Sequence, residues 1–175
     1  MSNVIDVLQQ RRSIRRYEDR PVEKEKIETI LRAALMAPSS KRCTPWHFVV
    51  VDDKEKLQKM SESRTMGSSF LNGAPVAILV LAEESKSDVW VEDATIAAIL
   101  MQVEATDLGL GSCWVQVRNR MKDDKTSTES YLKSLLGFPD GLKAECMIAI
   151  GYKGEEKKPF DEAHILKDRI HWNQF

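Results

Sequence analysis

A chain of 175 residues that is 42% apolar and 30% charged has the material for one domain with a real core, and its composition excludes a disordered chain. A net charge of −1 excludes a uniformly basic surface, so any anion binding must be local. The longest apolar run, "APVAILVLA" (Ala74–Ala82), has the length of a strand and falls short of the roughly 20 residues a bilayer demands. No membrane partner is expected. The opening "MSNVIDVLQQ" carries an early Asp and lacks a signal-peptide pattern. Cys43, Cys113 and Cys146 are far apart and odd in number, which fits a reduced, cytoplasmic protein. Neither they nor the three scattered histidines have metal-site spacing, so no metal is expected.

No internal repeat or composition break marks a linker, so residues 1–175 read as a single domain, with 153–175 as a C-terminal arm. In chain order, residues 3–12 are predicted helical, with Val4, Ile5, Val7 and Leu8 on one face. A second helix is predicted from Glu23 to Met36, where Ile27, Ile30, Leu31, Ala34 and Leu35 recur at helical spacing. Pro38 stops it, because the residue before a proline disfavours the helical region. "WHFVVVDD" reads as a strand, "DKEKLQKMSES" as a polar helix and "PVAILVLAE" as a buried strand. "DATIAAILMQVEATDLGLG" predicts a helix from Asp93 to about Leu108. It is apolar around most of its circumference, with small residues that admit a close neighbour, and it expects burial on more than one side. "SCWVQV" follows as a strand. "TSTESYLKSLLG" has Thr126–Glu129 at capping-box spacing and ends at Gly137, and "ECMIAIGYK" is the last strand. Helices first, then strands and helices interspersed, indicate an α+β or irregular α/β layer fold. The arm carries Phe160, Ile165, Leu166, Ile170, Trp172 and Phe175, too apolar a set for a free tail, and is expected to dock.

The stretch "RRSIRRY" crowds Arg11, Arg12, Arg15 and Arg16 together. At about 100° per residue, Val4, Leu8, Arg11 and Arg15 fall near one line of a continued helix. A charge on that core-facing stripe requires an anion, and guanidinium forks suit phosphate oxygens. The same run also reads as a solvated basic turn or a nucleic-acid patch. The chain lacks the basic surplus and the motifs of a nucleic-acid binder, so no nucleic-acid partner is expected.

"RRSIRRY" resembles the opening signature of the FMN-dependent nitroreductase family, roughly R-[RH]-S-x-[RK]. Four further segments match that family in order: "APSSKRCTPWHFVVV", "GAPVAILVLA", "TDLGLGSCWVQV" and "IAIGYKGEEKKPF". The resemblance spans nearly the whole chain and implies an α+β fold, a central mixed β-sheet flanked by helices. It implies an intertwined homodimer with FMN at the subunit interface. NADH or NADPH would give a hydride to the flavin and leave before an oxidised acceptor, nitroaromatic or quinone-like, takes the electrons. Arg11, Arg12 and Ser13 match positions that hold the FMN phosphate, and Arg15 matches a cation near flavin N1 and O2. Pro38, Ser39 and Ser40 match a loop that reaches the flavin from the other subunit. Trp114, Val115, Gln116 and Val117 match backbone along the flavin ring, where an N–H points at N5. Lys157 or Lys158 matches a basic tail residue at the phosphate. No protein side chain is implied as catalytic, since the flavin carries the chemistry.

The departures are Arg42, where the family usually has Asn, and Thr44, where it often has Gln. A cation at 42 suits an anionic acceptor or an NADPH phosphate, or else faces water. The same fold also serves reductive dehalogenation, flavin breakdown, heterocycle oxidation and flavin binding without turnover. Trp46 and Trp114 read as core aromatics sooner than stacking partners, His47 as structural, and Cys113 as a buried small residue.

Overall fold

The computed structural model describes residues 3–175. Among the described residues, five α-helices and four β-strands follow one another, two helices first and strands alternating with helices thereafter: α1 Val4–Gln10, α2 Lys24–Leu35, β1 Trp46–Val51, α3 Lys54–Ser61, β2 Val76–Glu83, α4 Trp90–Asp107, β3 Gly111–Gln116, α5 Thr128–Leu136 and β4 Leu142–Gly151. The sheet order is β1-β2-β4-β3, and all three pairings are antiparallel. The parallel pairing in the described residues is an isolated bridge, Ser13 to Ser112.

β2 explains the layering. A strand sends successive side chains to opposite faces. Val76, Ile78, Val80 and Ala82 enter the core beneath α2 and α4. Ala77, Leu79 and Leu81 enter a second core shared with α3 and α5. Both faces are covered, so the strand is apolar from Val76 to Ala82 and turns polar only at its last residue, Glu83. In α4, Ala94, Ala97, Ala98, Met101 and Ala105 are buried, and α2 lays Ile27, Ile30 and Ala34 against that helix. Full burial of a side chain such as Ile30 contributes about 1.5–3 kcal/mol.

The helix ends follow local chemistry. Asn3 and Asp53 cap α1 and α3 by accepting the N–H of Ile5 and Lys56. Gly137 ends α5 in the left-handed region, as its position in the sequence requires. The expected Thr126–Glu129 capping box is displaced by one residue: Ser127 is the cap and accepts from the Ser130 N–H. Glu129 instead reaches the Ala144 N–H of β4 at 2.8 Å. No described helix is long and apolar enough to cross a membrane.

Candidate active site

The arginine segment leaves the helix earlier than the periodicity indicates. α1 stops at Gln10, and Arg11 caps it in an extended conformation. Arg11 and Arg15 therefore do not share a helical line with Val4 and Leu8, which corrects that expectation. Of the α1 apolar residues only Val7 is buried, while Val4, Ile5 and Leu8 stay exposed. The cause of the early exit is tertiary. The Ile14 N–H donates to the Ser112 carbonyl at 3.0 Å, binding the segment to the outer edge of β3. Extended chain has a period of two, so Ile14 turns into the core and Ser13 and Arg15 turn outward.

Two glycines permit this seating. A Cβ at Gly111 would lie 2.8 Å from Ile14 Cβ, and one at Gly154 would lie 2.8 Å from the Tyr17 carbonyl carbon. The segment thus runs in direct backbone contact with β3 and the start of the arm. Tyr17 closes it by donating its hydroxyl to the Ile14 carbonyl at 2.7 Å, and burial pushes that phenol well above its ordinary range.

The result is a cavity of about 430 Å³ lined by Arg11, Arg12, Ser13, Arg15 and Lys157, with Leu8 and Phe160 as apolar walls. Arg12 Nη1 also donates to the Lys158 carbonyl at 2.5 Å, so Lys158 contributes backbone to this corner. Arg16 is exposed and does not line the cavity. Behind the segment lies the Cys113 thiol. Burial pushes it up, although Arg15 and Arg11 and a hydrogen bond with Ser13 pull the other way.

One carboxylate organises the cations. Glu155 accepts the Arg15 N–H at 2.7 Å and pairs with Lys157 at 3.1 Å. The Arg15 N–H, then Lys157, hold its carboxyl below the ordinary range. An acid made stronger by folding stabilises above the ordinary glutamate range, and that contribution is lost as pH falls through the lowered value. The expected outcome is that the arm loosens from the arginine segment on acidification. Limited proteolysis of residues 153–175 should then accelerate below about pH 4 in wild type but not in Glu155→Ala, whose arm is already loose at neutral pH.

β3 supplies the second part of the site. Cys113 and Val115 pair with Ala149 and Met147 of β4, and the Val117 N–H donates to the Glu145 carbonyl. In an antiparallel ladder the backbone groups of successive residues point alternately to the two sides. Ser112 faces outward, where its carbonyl meets Ile14, so Trp114 and Gln116 present their amide groups on the same open edge. The backbones of Val115 and Val117 are turned to β4, and both side chains are buried. The Trp114 indole N–H donates to Gln116 Oε1 at 2.9 Å.

The third part is the loop after α2. Buried Asp93 accepts the Ser40 N–H at 2.9 Å and the Ser87 hydroxyl at 2.7 Å. Ser39 Oγ accepts the Thr44 N–H at 2.9 Å. Lys41, Arg42 and Thr44 are held at φ of 50°, 58° and 42°, left-handed values unusual for non-glycine residues. Lys41 and Arg42 project into solvent. None of Pro38, Ser39, Ser40 or Arg42 lines the arginine cavity. Trp46 is core, 6% exposed, and His47 is exposed.

Asp93, Glu155 and Glu145 escaped the sequence reading. Asp93 looks like an ordinary first-turn acid, and Glu155 is one of two adjacent glutamates. Nothing local distinguishes either one. A larger cavity, about 1150 Å³, lies elsewhere, between α2, α3, β1 and residues 17–22.

A cationic cavity beside an open strand edge, on a helix-covered antiparallel sheet, is an arrangement with the chemistry to hold an anionic ligand. The family model described as "Nitroreductase family" matches residues 8–66 and 57–152, and the chain belongs to that family. An FMN-dependent nitroreductase from Clostridium difficile R20291 superposes with a TM-score of 0.96 at 51% identity, over 98% of this chain and 99% of that one. A protein of Archaeoglobus fulgidus, provisionally named an NADH dehydrogenase/NAD(P)H nitroreductase, is 39% identical over 98% of both chains. A more distant structure, a provisional nitroreductase from Desulfovibrio desulfuricans in complex with FMN, has a TM-score of 0.75 at 26% identity and covers 98% of this chain and 99% of that chain.

Proposed function

We propose that this chain is an FMN-dependent oxidoreductase that passes a hydride from NADH or NADPH, through the flavin, to a nitroaromatic or quinone-like acceptor by a ping-pong route. The carrying observation is the cavity that gathers Arg11, Arg12, Ser13, Arg15 and Lys157 next to the open edge of β3. The donor set suits a phosphate: guanidinium groups, an ammonium and a hydroxyl. Bound FMN supplies a ring that accepts a hydride at N5 and hands the electrons on.

Arg11, Ser13 and Lys157 hold the phosphate, and Arg12 does so while tying down the arm through Lys158. Arg15 extends toward Phe70, its Cζ 5.9 Å from the ring centroid, and balances negative charge on the reduced flavin. Trp114 and Gln116 offer the outward N–H groups along the ring. Val115 and Val117 support the strand from behind.

The chain works as a homodimer. Val4 (63% exposed), Leu35 (61%) and Met36 (74%) form apolar surface that one subunit leaves in water. Pro38, Ser39, Ser40 and Arg42 lie away from their own subunit's cavity, so they serve the flavin of the second subunit. The arm beyond Glu162 is exposed throughout, with Trp172 at 83%, and docks on the second subunit. The three free cysteines suit a reducing, cytoplasmic setting.

The purified protein is expected to be yellow and dimeric by sizing. Its flavin spectrum should bleach with NADH or NADPH and recover with a quinone or nitroaromatic. A colourless protein that takes up no added FMN ends the proposal. Flavin that binds but is never reduced by either nucleotide leaves only a flavin-binding module.

A further inference from the structure

Glu145 is a carboxyl that the proposed reaction leaves unused, and its setting is unusual. It lies in β4, yet it is 4% exposed. The pairing with β2 skips it: Val80 faces Cys146 and Leu81 faces Ala144, so Glu145 is the extra residue of a β-bulge. Its carbonyl receives the N–H groups of both Val117 and Arg118, at 3.1 and 3.0 Å. Oε1 accepts from Gln116 Nε2 at 3.1 Å, and Oε2 is buried with no hydrogen-bond partner among the described residues.

Gln116 carries this carboxyl to the site. Its Nε2 meets Glu145, and its Oε1 takes the Trp114 indole N–H. One buried acid therefore positions, through one amide, both residues whose backbone N–H groups face the open edge of β3. The charged groups around it are few. Arg118 faces it from the segment after β3 and Glu92 from α4, with the buried Cys146 thiol beside it on β4. Arg118 forms no ion pair with it among the described residues, and its Cζ stands 5.9 Å from the Trp90 ring centroid. Burial outweighs the Gln116 hydrogen bond and Arg118, and it raises the carboxyl above its ordinary range.

We propose that Glu145 is a proton-holding positioning residue, which binds one solvent proton when negative charge arrives on a flavin seated along β3 and releases it when the flavin is reoxidised. The bond formed and broken is the carboxyl O–H. The electrons come from the nicotinamide and leave with the acceptor. The inference rests on the flavin reading. Coupling between two sites is reciprocal, so a protonated Glu145 favours the reduced flavin by the same factor that reduced flavin favours the protonated acid.

The test is the pH dependence of the two-electron midpoint potential of the FMN-loaded protein, wild type against Glu145→Gln. The amide keeps an acceptor for Gln116 and cannot titrate. Wild type is expected to show a pH interval in which reduction takes up more protons than in E145Q, by up to about one per two electrons. Identical slopes at every pH overturn the proposal. A second measurement needs no variant: the infrared difference spectrum of wild-type holoprotein should gain a protonated-carboxyl band on reduction. Its absence also overturns the proposal, even if E145Q fails to load flavin. Failure of the flavin reading is distinct, because the wild-type protein is then colourless.

Discussion

Arg11→Ala is expected to weaken FMN binding by about 10- to 100-fold, whereas Arg16→Ala changes it by less than about twofold. A hydrogen bond to a charged group contributes roughly 1.5–3 kcal/mol, and each 1.4 kcal/mol is a factor of about ten in affinity. Arg11 is half-buried, lines the cavity and forms no ion pair among the described residues, so its charge is free for a ligand. Arg16 is exposed, its side chain makes no hydrogen bond or ion pair among the described residues, and its backbone carbonyl accepts the Gly154 N–H at 2.9 Å. Removing its side chain leaves that bond intact. Flavin titration by fluorescence quenching measures both variants. Equal losses would mean that the segment acts as a diffuse basic patch and would remove the separate assignments.

Gly111→Ala is expected to lower stability by about 1–3 kcal/mol, the usual range for overpacking, and to weaken FMN binding with it. The added Cβ falls 2.8 Å from Ile14 Cβ, which no side-chain rotation can move, and 2.8 Å from Ile14 Cγ2. Ile14 is 2% exposed and its N–H is bonded to Ser112, so the strain must separate the arginine segment from β3. For a chain this long, each kcal/mol lowers Tm by roughly 2–4 °C. The control is Gly73→Ala, where nothing lies within 4 Å of the new Cβ and little should change. Thermal melting of the flavin-free protein, set beside a flavin titration, checks both halves. A G111A protein with native Tm and native flavin affinity would show that the contact between the segment and β3 is not needed.

Both results turn on the same relation between sequence and structure. The motif "RRSIRRY" was legible as an anion site because four cations in six residues demand a counter-charge. Its division of labour was not legible. Helical spacing put Arg11 and Arg15 on one line, but the chain leaves the helix at Gln10, because β3 offers the Ile14 N–H a partner, the Ser112 carbonyl, far beyond any local window. The "SCWVQV" strand was likewise read correctly as an element. Which of its amides stay free depends on the register with β4, which no local pattern encodes.

Sequence by itself determined the kinds of element and most of their limits. The forces that set them act within a few residues: the apolar run of β2, the small-residue face of α4, and Gly137 at the end of α5. It also determined which family the motifs resemble. Only the tertiary structure decided which charges meet. It brought Glu155 to Arg15 across the chain, buried Asp93 beneath the 38–44 loop and placed Glu145 in a bulge behind Gln116. Carboxylates look alike in sequence. Burial and the backbone groups delivered by distant strands make each one different, and both arise only when the sheet is assembled.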